Sequence, residues 1–189
     1  MKTNNLNQQV LELSGLIAGL KDEDTRNSKL TKRFQVIMLV FAPLYLTLFV
    51  VNIFSDLPWQ QNLGMFFFAF SFLIFALIFR KFNREYSSVD YGIPTVEMLS
   101  EAVKRYQFWQ RKTKFSILPV VLVDLGLCFS SYNHLLTFGV DPLTRILIIQ
   151  AIYIPVMSIS ITIGYFIWRY RQKPIRDSAM ALLKEITGS

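Results

Sequence analysis

Four apolar stretches divide the chain, at residues 34–54, 63–79, 115–129 and 146–168, and each is apolar on every side rather than along one stripe. A helix rising about 1.5 Å per residue needs roughly 20 residues to cross the hydrocarbon core of a bilayer, with about 17 as the lower limit. The first and fourth stretches meet that outright. The second meets it if residues 58–62 lie at the interface, and the third if residues 130–132 join it. A soluble bundle of four buried helices fits poorly, because its helices would each keep a polar face. The pattern predicts four membrane-spanning helices.

The polar segments between them carry a different period. In the leader, Leu6, Val10, Leu13, Ile17 and Leu20 recur at four, three, four, three, which predicts an amphipathic helix over residues 5–21 with a break at 27–29. After a polar connector at 83–92, Pro94 opens a second helix expected over 94–114, with Val96, Leu99, Val103 and Tyr106 as its stripe. Beyond Pro174 the tail repeats the device with Ile175, Ala179, Leu182 and Ile186. The three stripes suit a small bundle that buries them together, or three helices lying flat with their stripes among lipid tails. The bundle is the preferred arrangement, since the segments emerge from adjacent spans.

Charge orients this layout. Of 20 Lys and Arg residues, 19 fall in the leader, the middle loop and the tail, and Arg145 is the exception. Cationic residues beside spans stay on the cytoplasmic side, so both ends are expected in the cytoplasm. The domains are then a leader at 1–33, a transmembrane domain at 34–168 that includes the loop helix at 94–114, and a tail helix at 169–189. Overall the chain has 189 residues, is 52% hydrophobic and 15% aromatic, and carries a net charge of +7. The cations flank spans, which points to anionic lipid headgroups and away from nucleic acid. The single cysteine, Cys128, lies in the third span, excluding a disulfide within the chain. Outer loops of 8 and 16 residues (55–62 and 130–145) are too short for a receptor domain.

Candidate chemistry is sparse. Asp124 is the one formally charged residue inside a span. An intramembrane carboxylate costs roughly 2.5–3.5 kcal/mol at a helix centre, so it must face other helices or water. Tyr45 and Ser158 sit at similar depth and are its expected partners, either in a proton or cation site or in a packing contact. On the fourth span Ala151, Pro155, Ser158, Thr162 and Tyr165 make a stripe of small and hydroxylated residues, a helix-packing face. Pro43, Pro119 and Pro155 are expected to kink three of the spans. Seven phenylalanines between Phe66 and Phe79 read as lipid-facing, and Trp59 and Trp168 as interfacial anchors. His134, the only histidine, has no ligand cluster around it. No metalloprotease, nucleophile-elbow or phosphate-loop motif occurs. No catalytic, cofactor-binding or metal-ligating residue is therefore expected.

The sequences around Lys32-Arg33-Phe34 and Arg80-Lys81-Phe82, the run from Ala102 to Trp109 and the tail from Ala179 to Ile186 resemble a group of small, uncharacterised four-span membrane proteins common in Bacteroidota. The likeness is one of hydropathy and charge over nearly the whole chain. It implies no catalytic residue and suggests regulation, because such proteins are often encoded beside alternative sigma factors. The expectation is an all-α, helical integral membrane protein with four transmembrane helices plus amphipathic cytoplasmic helices. It would be non-enzymatic, with Val96, Leu99, Val103 and Tyr106 as a docking stripe. Its partners would be the lipid bilayer and either a cytoplasmic protein or a second copy of the chain. The alternative is a small transporter or channel subunit built on Asp124.

Overall fold

The computed structural model describes residues 2–55, 58–108, 114–134 and 141–188, with side chains from residue 11 onward except 12, 133 and 134. Its elements are α1 (Lys2–Ile53), α2 (Trp59–Ser87), α3 (Thr95–Arg105), α4 (Ile117–His134), α5 (Pro142–Ile167), a π-helical segment (Trp168–Gln172) and α6 (Lys173–Thr187). No strand occurs among the described residues. Three helical runs are long and apolar enough to cross a membrane: Leu13–Ile53, Trp59–Ser87 and the unbroken Pro142–Thr187. A shorter apolar helix, Ile117–Tyr132, accompanies them. The protein is a helical membrane protein.

Several boundaries differ from expectation. α1 passes through residues 27–29 without a break. Asn27 is buried there and Ser28 Oγ donates to Asn83 Oδ1 at 2.9 Å, so the Ser28 hydroxyl finds a tertiary partner instead of competing with the helix backbone. α2 continues through the expected connector to Ser87. α3 stops at Arg105, short of 114, and residues 109–113 lie outside those described. Pro119 falls in the first turn of α4, where its missing N–H had no intrahelical partner to lose. Pro174 does not separate the tail. Its ring crowds the carbonyl four residues back, at Tyr170, and the five-residue π segment spans that position.

The chain forms two compact units. One comprises Met1–Leu30, Phe82–Trp109 and Ile163–Ser189. Its core joins Leu20, Ala102 and Tyr106 with Leu16, Tyr86, Tyr91 and Ile175, and joins Met98, Leu99 and Ala179 with Leu13, Ile17, Val103 and Leu182. Leader, α3 and tail thus bury most of their stripes against one another, which is the bundle arrangement, while Val96 and Ile186 stay exposed. Leu6 and Val10 lie outside the described side chains. Each aliphatic residue so buried contributes at most about 1.5–3 kcal/mol.

The other unit comprises Thr31–Lys81 and Gln110–Thr162. Aromatic pairs knit α1 to α2: Phe34 with Phe79, Phe41 with Phe72 and Phe49 with Phe66, at centroid separations of 5.4, 5.6 and 5.7 Å. The phenylalanine-rich face is therefore in part a helix interface. α2 meets α4 through small residues. A Cβ added at Gly64 would stand 2.8 Å from Ser130 N and 2.9 Å from Gly126 O, and one at Gly126 would stand 2.9 Å from the Phe68 ring. Nearby, fully buried Ser71 donates to Pro119 O at 2.8 Å. Gly64→Val is expected to destabilise the protein by about 1–3 kcal/mol through overpacking at this crossing, measured by denaturation in mixed detergent micelles. Val at Gly15, where nothing lies within 4 Å, is expected to cost less than half as much.

Candidate functional site

Two adjacent carboxylates, Glu23 and Asp24, are the most deeply buried charged groups of the first unit, at 3% and 2% exposure. They sit on α1 just after Leu20, where the bundle core closes. Asp24 accepts three hydrogen bonds: from Tyr91 Oη at 2.6 Å, from Tyr106 Oη at 2.5 Å and from Arg105 Nη1 at 2.7 Å. Glu23 accepts from Arg26 Nη2 at 2.6 Å, one turn along the same helix, and Arg171 Nη2 of the π segment approaches at 3.6 Å. The donors come from the leader, the stretch before α3, the end of α3 and the last helix. Tyr106 also ties the site to the tail, because its carbonyl accepts from Trp168 Nε1 at 2.9 Å.

Electrostatics follow from the geometry. Burial raises the phenols of Tyr106 and Tyr91 well above the ordinary tyrosine range, and the hydrogen bonds to Asp24 and its negative charge add to the effect. Both phenols are thereby kept as donors to the carboxylate. The cluster pairs acids with bases and neutral donors at close range, so its chemistry is that of a clamp.

The stripe Val96, Leu99, Val103 and Tyr106 is consequently not a docking surface. Leu99 and Tyr106 are buried, Val103 packs on the core, and only Val96 is open. Three helices had to cover one another's apolar faces, and this stripe was the one facing inward.

In the second unit Asp124 is met by neither Tyr45 nor Ser158. Gln150 Nε2 donates to Asp124 Oδ1 and lies 3.2 Å from Cys128 Sγ, one turn further along α4. Tyr45 packs between Phe68 and Phe72, with centroids 5.2 and 5.4 Å away. Ser158 Oγ donates to Ile154 O of its own helix at 2.8 Å, as Thr162 does to Ser158 O. Gln150 wins because its longer amide reaches across from α5, whereas a serine hydroxyl is satisfied locally. The stripe Ala151, Pro155, Ser158, Thr162 and Tyr165 is not a packing face of this unit. No residue of α5 is buried, the first four are exposed, and Tyr165 belongs to the first unit, where it packs on Phe108 and Trp168. A cavity of about 340 Å³ lies beside Cys128, lined by Trp59, Gln60, Phe129, Tyr132 and Ile146.

Asp141 caps α5: Thr144 donates to it from its hydroxyl at 2.6 Å and from its backbone N–H at 3.2 Å, and these bonds hold the carboxyl below its ordinary value. The His134 side chain is outside those described. Among the described residues no three His, Cys, Asp or Glu side chains are grouped to hold a metal. The chain matches no family model, no curated protein and no solved structure.

Asp24→Asn is expected to lower the stability of the bundle by at most about 3–5 kcal/mol, because Arg105 loses its 2.7 Å partner and keeps the exposed Glu101 at 3.9 Å as a weaker one. Tyr106→Phe, which removes one neutral donor, is expected to cost about 1–3 kcal/mol. Thermal unfolding of the detergent-solubilised protein measures both. The raised phenols fix the sign of the alkaline response. Their contribution is complete below the unfolded tyrosine value of about 10 and is lost as pH rises from there towards the folded values. Unfolding should therefore steepen above about pH 10, and Tyr91→Phe with Tyr106→Phe should flatten it.

Proposed function

We propose that the chain is a non-enzymatic scaffold of the bacterial inner membrane, whose leader, α3 and tail form a rigid docking module on the cytoplasmic side. The observation that carries this reading is the clamp on Glu23 and Asp24. A lipid anchor needs only an apolar face, whereas buried, fully engaged carboxylates specify one arrangement of three chain segments. That is what a surface presented to another protein requires. With the apolar stripes turned inward, the docking surface is the outward side of the paired helices α3 and α6. Glu97, Glu101, Asp177, Lys184 and Glu185 lie there with exposed Val96 and Met180, a mixed-charge rim around scattered apolar contacts. The resemblance to Bacteroidota proteins encoded beside regulatory genes points the same way. Four spans with both termini inside remain the topology that the cation distribution favours. The close approach of α4 to α2 at Gly126 supports counting α4 as a span.

Affinity purification from mild detergent is expected to recover a soluble partner with the native chain and to lose it with Glu97→Lys and Glu101→Lys together. Recovery of lipid and self-oligomer only, or an identical protein set from both chains, overturns docking through this surface.

A second reading is favoured by the pairing of Asp124 with Gln150 and the cavity beside Cys128: a small transporter or channel subunit. Asp124→Asn separates the two. In proteoliposomes the scaffold reading expects no change in proton or cation flux and a modest loss of stability. A flux that the native chain supports and the variant abolishes establishes the transport reading.

A further inference from the structure

Where α5 passes into the π segment and α6, the residues Phe166, Arg169, Tyr170 and Lys173 stand at i, i+3, i+4 and i+7 of one continuous helical run, on one side of it. All four are exposed, Tyr170 most of all at 72%, and its ring stacks on Phe166 with centroids 6.1 Å apart. The other side of the same turn is tied down. Trp168 donates to the Tyr106 carbonyl and carries Arg176 at 5.4 Å from its ring, and Arg171 leans towards Glu23. The rotation of the helix is thereby set, and the basic–aromatic face is held outward.

Charge makes this face unusual. The buried cluster is balanced without the tail, since Glu23 and Asp24 hydrogen-bond Arg26 and Arg105. Arg176 is paired with Asp177 at 2.6 Å. Among the described residues no carboxylate lies within 4.0 Å of Arg169 or Lys173. Two like charges four residues apart on an exposed helix repel, and no carboxylate among the described residues pairs with them. The helix that leads to them is apolar, long enough to cross a membrane and without a buried residue, which is the character of a lipid-facing helix.

We propose that this face binds the headgroup phosphate of an anionic phospholipid. The Arg169 guanidinium forks onto two phosphate oxygens and Lys173 adds a second positive charge. The Tyr170 hydroxyl donates at the headgroup level, and the Phe166 ring lies against the acyl chain. The preceding apolar helix selects a lipid over free phosphate, because it delivers the site to the membrane interface. The site needs only that α5 sits in a bilayer, and so stands apart from the docking reading.

The test is lipid retention by the full chain in nanodiscs of phosphatidylcholine with a minority of phosphatidylglycerol. After gentle detergent extraction, native mass spectrometry counts the lipids that stay bound. The native chain is expected to retain phosphatidylglycerol several-fold above its share of the disc. Arg169→Gln with Lys173→Gln should bring retention down to that share, and Arg169→Lys with Lys173→Arg, which preserves both charges, should restore it. No enrichment with the native chain, or equal enrichment with the neutral variant, overturns the proposal. So does loss of enrichment in the charge-preserving variant. If inorganic phosphate strips the enrichment as readily as it would from a soluble anion site, the assignment to a lipid is overturned as well.

Discussion

A carboxylate removed from water must be repaid in hydrogen bonds and opposite charge, and two of them side by side on one helix constrain everything placed around them. Glu23 and Asp24 are in that position. Asp24 alone takes a guanidinium and two phenols, and the chain positions bringing those donors are 67, 81 and 82 residues away. The path of the chain before α3 and the placing of the last turn of α3 both serve to satisfy Asp24. Apolar burial supplies most of the driving force for the bundle, but it is non-directional. The ionic cluster selects one packing from the several that greasy stripes would allow, which is the role best attested for buried polar groups.

The second unit shows the same logic in a different solvent. Between helices in lipid the hydrophobic effect offers little, and close van der Waals approach and hydrogen bonding do the joining. Gly64 and Gly126 let α2 and α4 come backbone to backbone, Ser71 bonds a carbonyl of the facing helix, and Gln150 covers Asp124. Aromatic pairs carry the contact between α1 and α2. α5 meets α4 through polar contacts, Gln150 on Asp124 and the Tyr153 hydroxyl on Val120 O at 2.9 Å. The hydroxyls of Ser158, Ser160 and Thr162 bond their own backbone, and these residues remain open.

Much of this was legible in the residues. Heptad spacing records burial, so Leu13, Ile17, Leu20, Leu99, Ala179 and Leu182 could be read as inward-facing. Leu16 was missed because a helix contacted from two sides buries a wider arc than a two-residue stripe. Gly126 and Ser130, four apart, formed a visible small-residue pair. Gln150 too was within reach. Asp124 lies ten residues before the end of α4 and Gln150 eight after the start of α5, which sets them level in an antiparallel pair. Glu23 and Asp24 were not legible. Acidic residues in a polar leader are ordinarily solvated, and their partners lie too far along the chain for any local pattern to announce them. The length of α1 was hidden for the same reason, since Asn27 and Ser28 read as a break until the burial of the first and the bond of the second to Asn83 are known.

The bundle core draws on the beginning, the middle and the end of the polypeptide: Leu20, Leu99 and Ala179. During synthesis the leader therefore emerges long before the residues that will cover it, and Asp24 waits in water until Arg105 and Tyr106 have been made. Closure of the apolar core waits for α6, which brings Ala179. A ribosome that stalls before Ala179 leaves a leader with an unsheltered apolar face, which is the kind of surface that chaperones and proteases recognise.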